Sequence, residues 1–148
     1  GNMGGPMAAN LVSAGHTVHG FDPVTALKEA AAAKGATVFD AAADAVTGAD
    51  VVITSLPNGD IVKSVYAEVV PAASSGALLI DTSTISVDDA RAVNAQATER
   101  GLAQIEGRAQ AGLDLSWAEA EVHGYPNRFD TTLVTQSALS SSKASPSG

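Results

Sequence analysis

Gly1-Asn2-Met3-Gly4-Gly5-Pro6-Met7-Ala8-Ala9-Asn10-Leu11 opens the chain and runs on through Gly15-His16 to Gly20-Phe21-Asp22. Met7, Leu11 and Ala14 recur at the i, i+4, i+7 spacing of one helix face. A helix is therefore expected from Met3 to Ala14. Gly15 is its stop signal, because glycine adopts the left-handed conformation of a helix end without steric cost. His16 to Phe21 then reads as a short strand that ends on Asp22. Glycines, helix, strand and acidic residue follow in the order of a dinucleotide-binding βαβ unit. The first strand of such a unit, and the first glycine of G-x-G-x-x-G, would lie ahead of residue 1.

The same alternation continues to residue 105. Pro23 is expected to open a second helix that runs to Lys34 and stops at Gly35. Thr37 to Phe39 is a weak strand, and Asp40 reads as the N-cap of a helix over Ala41 to Thr47. Asp50 to Leu56, with Val51-Val52-Ile53, has the composition of a buried strand. Pro57-Asn58-Gly59 forms a turn before a helix from Asp60 to about Glu68. Ala77 to Asp81 is a further buried strand. Ser86 caps a helix over Val87 to Arg100, with Asp88 and Asp89 in its first turn, where the helix dipole favours them. Gly101 ends it, and Leu102 to Ile105 begins another strand.

Short β-branched runs alternating with Ala-rich helices predict an α/β fold, a Rossmann-like doubly wound parallel sheet. Alanine supplies 29 of the 148 residues and aromatics only 4%, which suits close helix-on-sheet packing. The sheet is expected to lack its first strand, the central one between His16–Phe21 and Asp50–Leu56. Those two strands then lose their shared ladder partner.

Composition narrows the function. A net charge of −8 and a pI near 4.6 argue against nucleic-acid and membrane-surface partners, which need Lys and Arg opposite phosphates. With no Cys there is no disulfide, thiolate nucleophile or Cys-ligated metal. His16, His19 and His123 lack metal-ligand spacing, so no metal site is expected. No apolar run approaches the ~20 residues that span a bilayer, and the start lacks the parts of a secretory signal. A cytoplasmic setting is the default, and the missing initiator Met suggests a chain that begins inside a longer protein.

The start of the first helix carries the candidate chemistry. Unpaired N–H groups and the helix dipole suit a pyrophosphate there. Gly1 lets backbone approach the phosphates, and Gly4 lets helix and sheet pack closely. G-x-x-G alone also describes many turns, and an Asp before Pro23 also fits a turn. The two features together, spaced as a ribose-binding carboxylate requires, point to a dinucleotide. Asp22 would repel a 2′-phosphate and no Arg follows it, so NAD is expected over NADP. Leu56-Pro57-Asn58 and Asp81-Thr82-Ser83-Thr84-Ile85 lie beyond strand carboxyl ends, where ligands bind in open α/β sheets. Their backbone and hydroxyl groups suit a nicotinamide ribose, although turn and cap chemistry uses the same residue types.

These segments together resemble the 3-hydroxyisobutyrate dehydrogenase family, the β-hydroxyacid dehydrogenases. Gly1 to Leu11, Gly15-His16, Gly20-Phe21-Asp22, Leu56-Pro57-Asn58 and Asp81-Thr82-Ser83-Thr84-Ile85-Ser86 follow the family's order and spacing. The resemblance implies the NAD-binding part of a two-domain oxidoreductase that converts a β-hydroxy acid, here 3-hydroxyisobutyrate, to its semialdehyde in valine breakdown. A tartronate semialdehyde reductase-like enzyme, a non-catalytic dinucleotide-binding module and a gene remnant are the alternatives. By the resemblance, Gly1, Asn2, Met3 and Gly4 hold the pyrophosphate and Asp22 the adenosine ribose. Leu56 and Pro57 lie along the dinucleotide, Val62 near the adenine, and Thr84 at the nicotinamide half.

The resemblance covers residues 1–105 and stops abruptly. Family members continue with a D-A-P-V-S-G-G segment that holds the substrate; this chain reads Glu106-Gly107-Arg108-Ala109-Gln110-Ala111-Gly112. The family's catalytic Lys lies in a later G-x-x-G-x-x-x-K segment with no counterpart here. Lys143, in a Ser-rich end, does not inherit that role, so no catalytic residue is assigned. The helical domain that forms the family's oligomer interface has no counterpart either. The small hydroxy-acid substrate is thus a ligand of the complete enzyme only. Residues 106–148 are expected to be an irregular, partly disordered tail, unrelated or frame-shifted in origin.

Overall fold

The computed structural model describes residues 3–106 and 130–135. Five helices and six strands occur there: α1 (Gly4–Ser13), β1 (Thr17–Phe21), α2 (Thr25–Ala32), β2 (Thr37–Val38), α3 (Ala42–Val46), β3 (Val51–Ser55), α4 (Gly59–Ala72), β4 (Leu78–Asp81), α5 (Val87–Glu99), β5 (Ala103–Glu106) and β6 (Asp130–Thr135). The strands form one sheet in the order β2-β1-β6-β3-β4-β5, and every pair is parallel. The α/β doubly wound architecture expected from the alternation is the one observed.

The centre of the sheet differs from the expectation of an empty position. β6, from the stretch read as an irregular tail, lies between β1 and β3 and pairs with both. Gly20 and Ile53 both register with Leu133, and Val18 and Val51 with Thr131. Among the described residues, the position between β1 and β3 is held by β6, the last element in sequence. The physical reason is the cost of leaving two buried strand edges unpaired. Asp130-Thr131-Thr132-Leu133-Val134-Thr135 has the β-branched content that a strand favours. Its weak apolar pattern concealed it from period-based reading.

Helices cover both faces of the sheet. On one, Ala8 and Leu11 of α1 pack on Val18 of β1 and Ile53 of β3. On the other, α3, α4 and α5 bury Val46, Val62, Tyr66, Val69 and Val93 against Val52 and Leu79. Val52 and Ile53, adjacent in β3, face opposite layers, as a period of two requires. A strand buried on both sides reads as an unbroken apolar run, which is why Asp50–Leu56 was legible.

Glycine ends three of the helices as expected. Gly15, Gly35 and Gly101 have φ of 90°, 96° and 70°. At Gly35 a Cβ would also come within 3.0 Å of Val12 Cγ1. Ser86 caps α5, its Oγ accepting the Asp89 N–H at 3.1 Å. Asn58 caps α4 through an acceptor contact from Ile61 N–H at 3.0 Å. Three local expectations are corrected. Pro23 lies ahead of α2, which starts at Thr25. α4 continues past Glu68 to Ala72 and contains Pro71, placed near its end where little of the helix is lost. Asp40 does not cap α3, whose N-cap is Ala41.

Candidate functional site

In a parallel sheet all strand carboxyl ends share one edge, and the loops there form a crevice where helices change sides. Here that edge carries the start of α1, Asp22 after β1, Leu56-Pro57-Asn58 after β3 and Asp81–Ile85 after β4. Gly4, Gly5, Gly20, Asp22, Leu27 and Lys28 line a pocket between α1, β1 and α2. The glycines and the carboxylate, 18 residues apart in sequence, therefore meet in space as the spacing predicted.

The start of α1 suits an anion. Met3 occupies its N-cap without a side-chain hydrogen bond, and its first turn contains no acidic residue. The first N–H groups of a helix have no partner within the helix, and the positive end of its dipole lies behind them. Gly4 is buried, and nothing lies within 4 Å of where a Cβ on Gly5 would sit. Met3 is exposed. Gly1 and Asn2 lie outside the described residues.

Asp22 is buried, and its Oδ1 accepts the Val24 N–H at 2.9 Å. This bond closes the turn into α2 and fixes the carboxylate at the pocket. The turn role and the pocket role, alternatives in the sequence, are both filled by one side chain.

The β3 and β4 loops are tied by a network that sequence reading missed. Thr54 Oγ1 donates to Asp81 Oδ1 at 2.8 Å across the strand pair. The same oxygen accepts the Ser83 N–H at 3.1 Å and the Ser83 hydroxyl at 2.6 Å. Ser83 Oγ in turn accepts the Leu56 N–H at 2.9 Å. Thr82 donates from both N and Oγ1 to Thr54 O, at 2.8 and 2.9 Å. The Ser83 and Thr82 hydroxyls, expected at a ligand, are thus spent on the scaffold. Thr84 remains exposed at the crevice edge. Leu56 is buried and Pro57 half-buried. The register Thr54↔Asp81 was the missing signal, because it exists only once the strands are paired.

Val62 is fully buried in the layer beneath α4, packed with Leu56, Tyr66 and Val93. The structure does not bring it to the Asp22 pocket. Lys28 was also missed: it lines that pocket, and its ammonium pairs with Asp40. That hydrogen bond and its charge hold the Asp40 carboxyl below the usual carboxylate range. His16 precedes β1 at the far edge, and His19 Nδ1 lies 3.1 Å from Ala45 O in the middle of the strand. Among the described residues no group of His, Asp and Glu forms a metal site. His123 and Lys143 lie outside them.

Residues 1–107 match the family described as the NAD binding domain of 6-phosphogluconate dehydrogenase. The chain belongs to this family. Its NAD-binding fold is shared with 3-hydroxyisobutyrate dehydrogenases. It is 51% identical over 113 residues to a probable 3-hydroxyisobutyrate dehydrogenase of Mycobacterium tuberculosis, covering 76% of this chain and 38% of that protein. An NAD-dependent L-serine dehydrogenase of Pseudomonas aeruginosa is 39% identical over 115 residues, covering 76% and 39%. The solved Mycobacterium tuberculosis 3-hydroxyisobutyrate dehydrogenase with L-serine superposes with a TM-score of 0.70 at 54% identity, over 72% of this chain and 36% of that one. The chain thus spans under two fifths of the length of its mycobacterial relatives, and the shared part is the NAD-binding one. No helix among the described residues is long and apolar enough to cross a membrane.

Proposed function

We propose that the chain holds NAD in the carboxyl-edge crevice and is the cofactor-binding part of a 3-hydroxyisobutyrate dehydrogenase-like oxidoreductase. The observation that carries this is the convergence of Gly4, Gly5 and Asp22 on one pocket. Gly1, Asn2, Met3 and Gly4 hold the pyrophosphate, with α1's dipole opposing its charge. The Asp22 carboxylate accepts the adenosine ribose hydroxyls. Leu56 and Pro57 form the wall along the dinucleotide, and Thr84 lies at the nicotinamide half. Val62 acts through packing, supporting the Leu56 wall from beneath.

NAD, when bound, supplies the hydride acceptor of a hydroxy-acid oxidation. Such an oxidation also needs a general base at the substrate hydroxyl. Lys63 Nζ is engaged by Asp60 and Asp89 at 3.0 and 2.8 Å, and both described histidines lie away from the crevice. We therefore assign no catalytic residue to this chain and expect it to be inactive alone. 3-Hydroxyisobutyrate is the favoured substrate of the complete enzyme; L-serine and other small β-hydroxy acids are the neighbouring choices.

Two assays on the purified chain test the reading. NADH fluorescence should saturate on titration, while 3-hydroxyisobutyrate with NAD should yield no NADH. Failure of saturation overturns the binding reading, and sustained turnover overturns the assignment of catalysis elsewhere.

A further inference from the structure

Among the described residues, Lys28 is the one cationic side chain lining the Asp22 pocket. Its side chain is 17% exposed, and the ammonium reaches Asp40, whose side chain is 98% exposed. Asp40 follows β2, and β2 pairs with β1 so that Gly20 faces Val38. Asp40 comes two residues after β2 and Asp22 one residue after β1, so both follow the carboxyl ends of neighbouring parallel strands. The Phe39 N–H to Gly20 O bond of 2.9 Å keeps the two chains together up to that point. Among the described residues the pocket lining thus carries one carboxylate, Asp22, and one ammonium, Lys28, and Asp40 claims that ammonium from outside the lining.

A ribose 2′-phosphate is recognised by a nearby cation, and a ribose 2′-hydroxyl by a carboxylate. The pocket holds both kinds of group, but the cation is neutralised. We propose that Asp40 is a second determinant of cofactor selectivity: by pairing with Lys28 it withholds the pocket's cation from a 2′-phosphate and so reinforces the exclusion of NADP by Asp22. Asp40 works through Lys28 and is a specificity-determining positioning residue. The inference rests on the reading of Asp22 as the ribose ligand.

The test measures dissociation constants for NADH and NADPH with the wild-type chain, Asp40→Asn, Lys28→Gln/Asp40→Asn, and Asp22→Ser/Asp40→Asn. Asp40 is exposed and caps no helix, so Asp40→Asn should fold. Removing its charge should narrow the NADH-to-NADPH affinity ratio by about fivefold, the upper range for one exposed charge pair. The change should come mainly from tighter NADPH binding and should fade in high salt. Adding Lys28→Gln should abolish it, and adding Asp22→Ser should enlarge it. An unchanged ratio in Asp40→Asn, or the same shift without Lys28, overturns the inference while NADH binding by the wild type leaves the Asp22 reading intact. Absence of NADH binding by the wild type overturns both. If Asp22→Ser/Asp40→Asn does not fold, the comparison of the other three proteins still decides.

Discussion

The hydroxyl of Ser83 accepts the backbone N–H of Leu56 at 2.9 Å, joining the β4 loop to the β3 loop. Ser83 is itself oriented by donating to Asp81, so one serine carries the position of a buried carboxylate to the crevice wall. Ser83→Ala removes the acceptor and leaves the Leu56 N–H without this partner. The expected loss of stability is about 1–2 kcal/mol, typical of a broken and partly buried hydrogen bond. NADH affinity should fall by a few-fold because the Leu56–Pro57 wall loosens. Urea unfolding and NADH titration of the same variant check both parts.

The centre of the sheet yields a second prediction. In a parallel sheet the residues of an interior strand alternate their bonds between two neighbours, so β6 has no position where an N–H is dispensable. Leu133→Pro should cost about 3 kcal/mol or more, since proline removes a donor and restricts the strand. Thermal melts followed by circular dichroism should show a much lower midpoint. A chain ending at Glu106 should lose its cooperative transition, because β1 and β3 would then face an unfilled gap. A melt unchanged by either alteration would mean that β6 does not hold the sheet together.

Acid stability supplies a third. Hydrogen bonds from Lys63 and Ser86 hold the Asp89 carboxyl below its ordinary value of 3.8. A group whose folded pKa is depressed stabilises the fold above its unfolded pKa, and this contribution is lost as pH falls through the folded value. Asp40, lowered by Lys28, acts in the same direction. Stability should therefore begin to fall near the ordinary carboxylate pKa and continue falling below it. Lys63→Met should flatten that slope, as read from urea midpoints across the acid range. On the alkaline side Lys63 is raised above 10.5, chiefly by its hydrogen bond to Asp89, then by that to Asp60. Its contribution is complete below 10.5 and is lost as pH rises through the higher folded value.

Much of this was legible from residues. Val51-Val52-Ile53 and Leu78-Leu79-Ile80 announce buried parallel strands, and Gly15, Gly35 and Gly101 announce helix ends. Ser86 as a cap is a local matter, decided within three residues. The Gly4 and Asp22 juxtaposition followed from the order of a βαβ unit. What stayed hidden depends on pairing across the sheet. Asp40 resembles a cap until register puts it within reach of Lys28. Asp81 and Ser83 resemble a ligand loop until Thr54 and Leu56 arrive from β3. Val62 carries no sign of its burial until α5 packs over it. β6 lacked both helix and strand periodicity, and only the open place between β1 and β3 gives it a role.

The most direct test of the account is the affinity of the chain for NADH, measured by fluorescence titration with and without Asp22→Asn. Asparagine keeps an acceptor for the Val24 N–H but removes the charge that binds the ribose hydroxyls. The account predicts saturable binding by the wild type and at least about tenfold weaker binding by the variant, as expected for hydrogen bonds to a charged group. No saturable binding, or equal binding by both proteins, would contradict it.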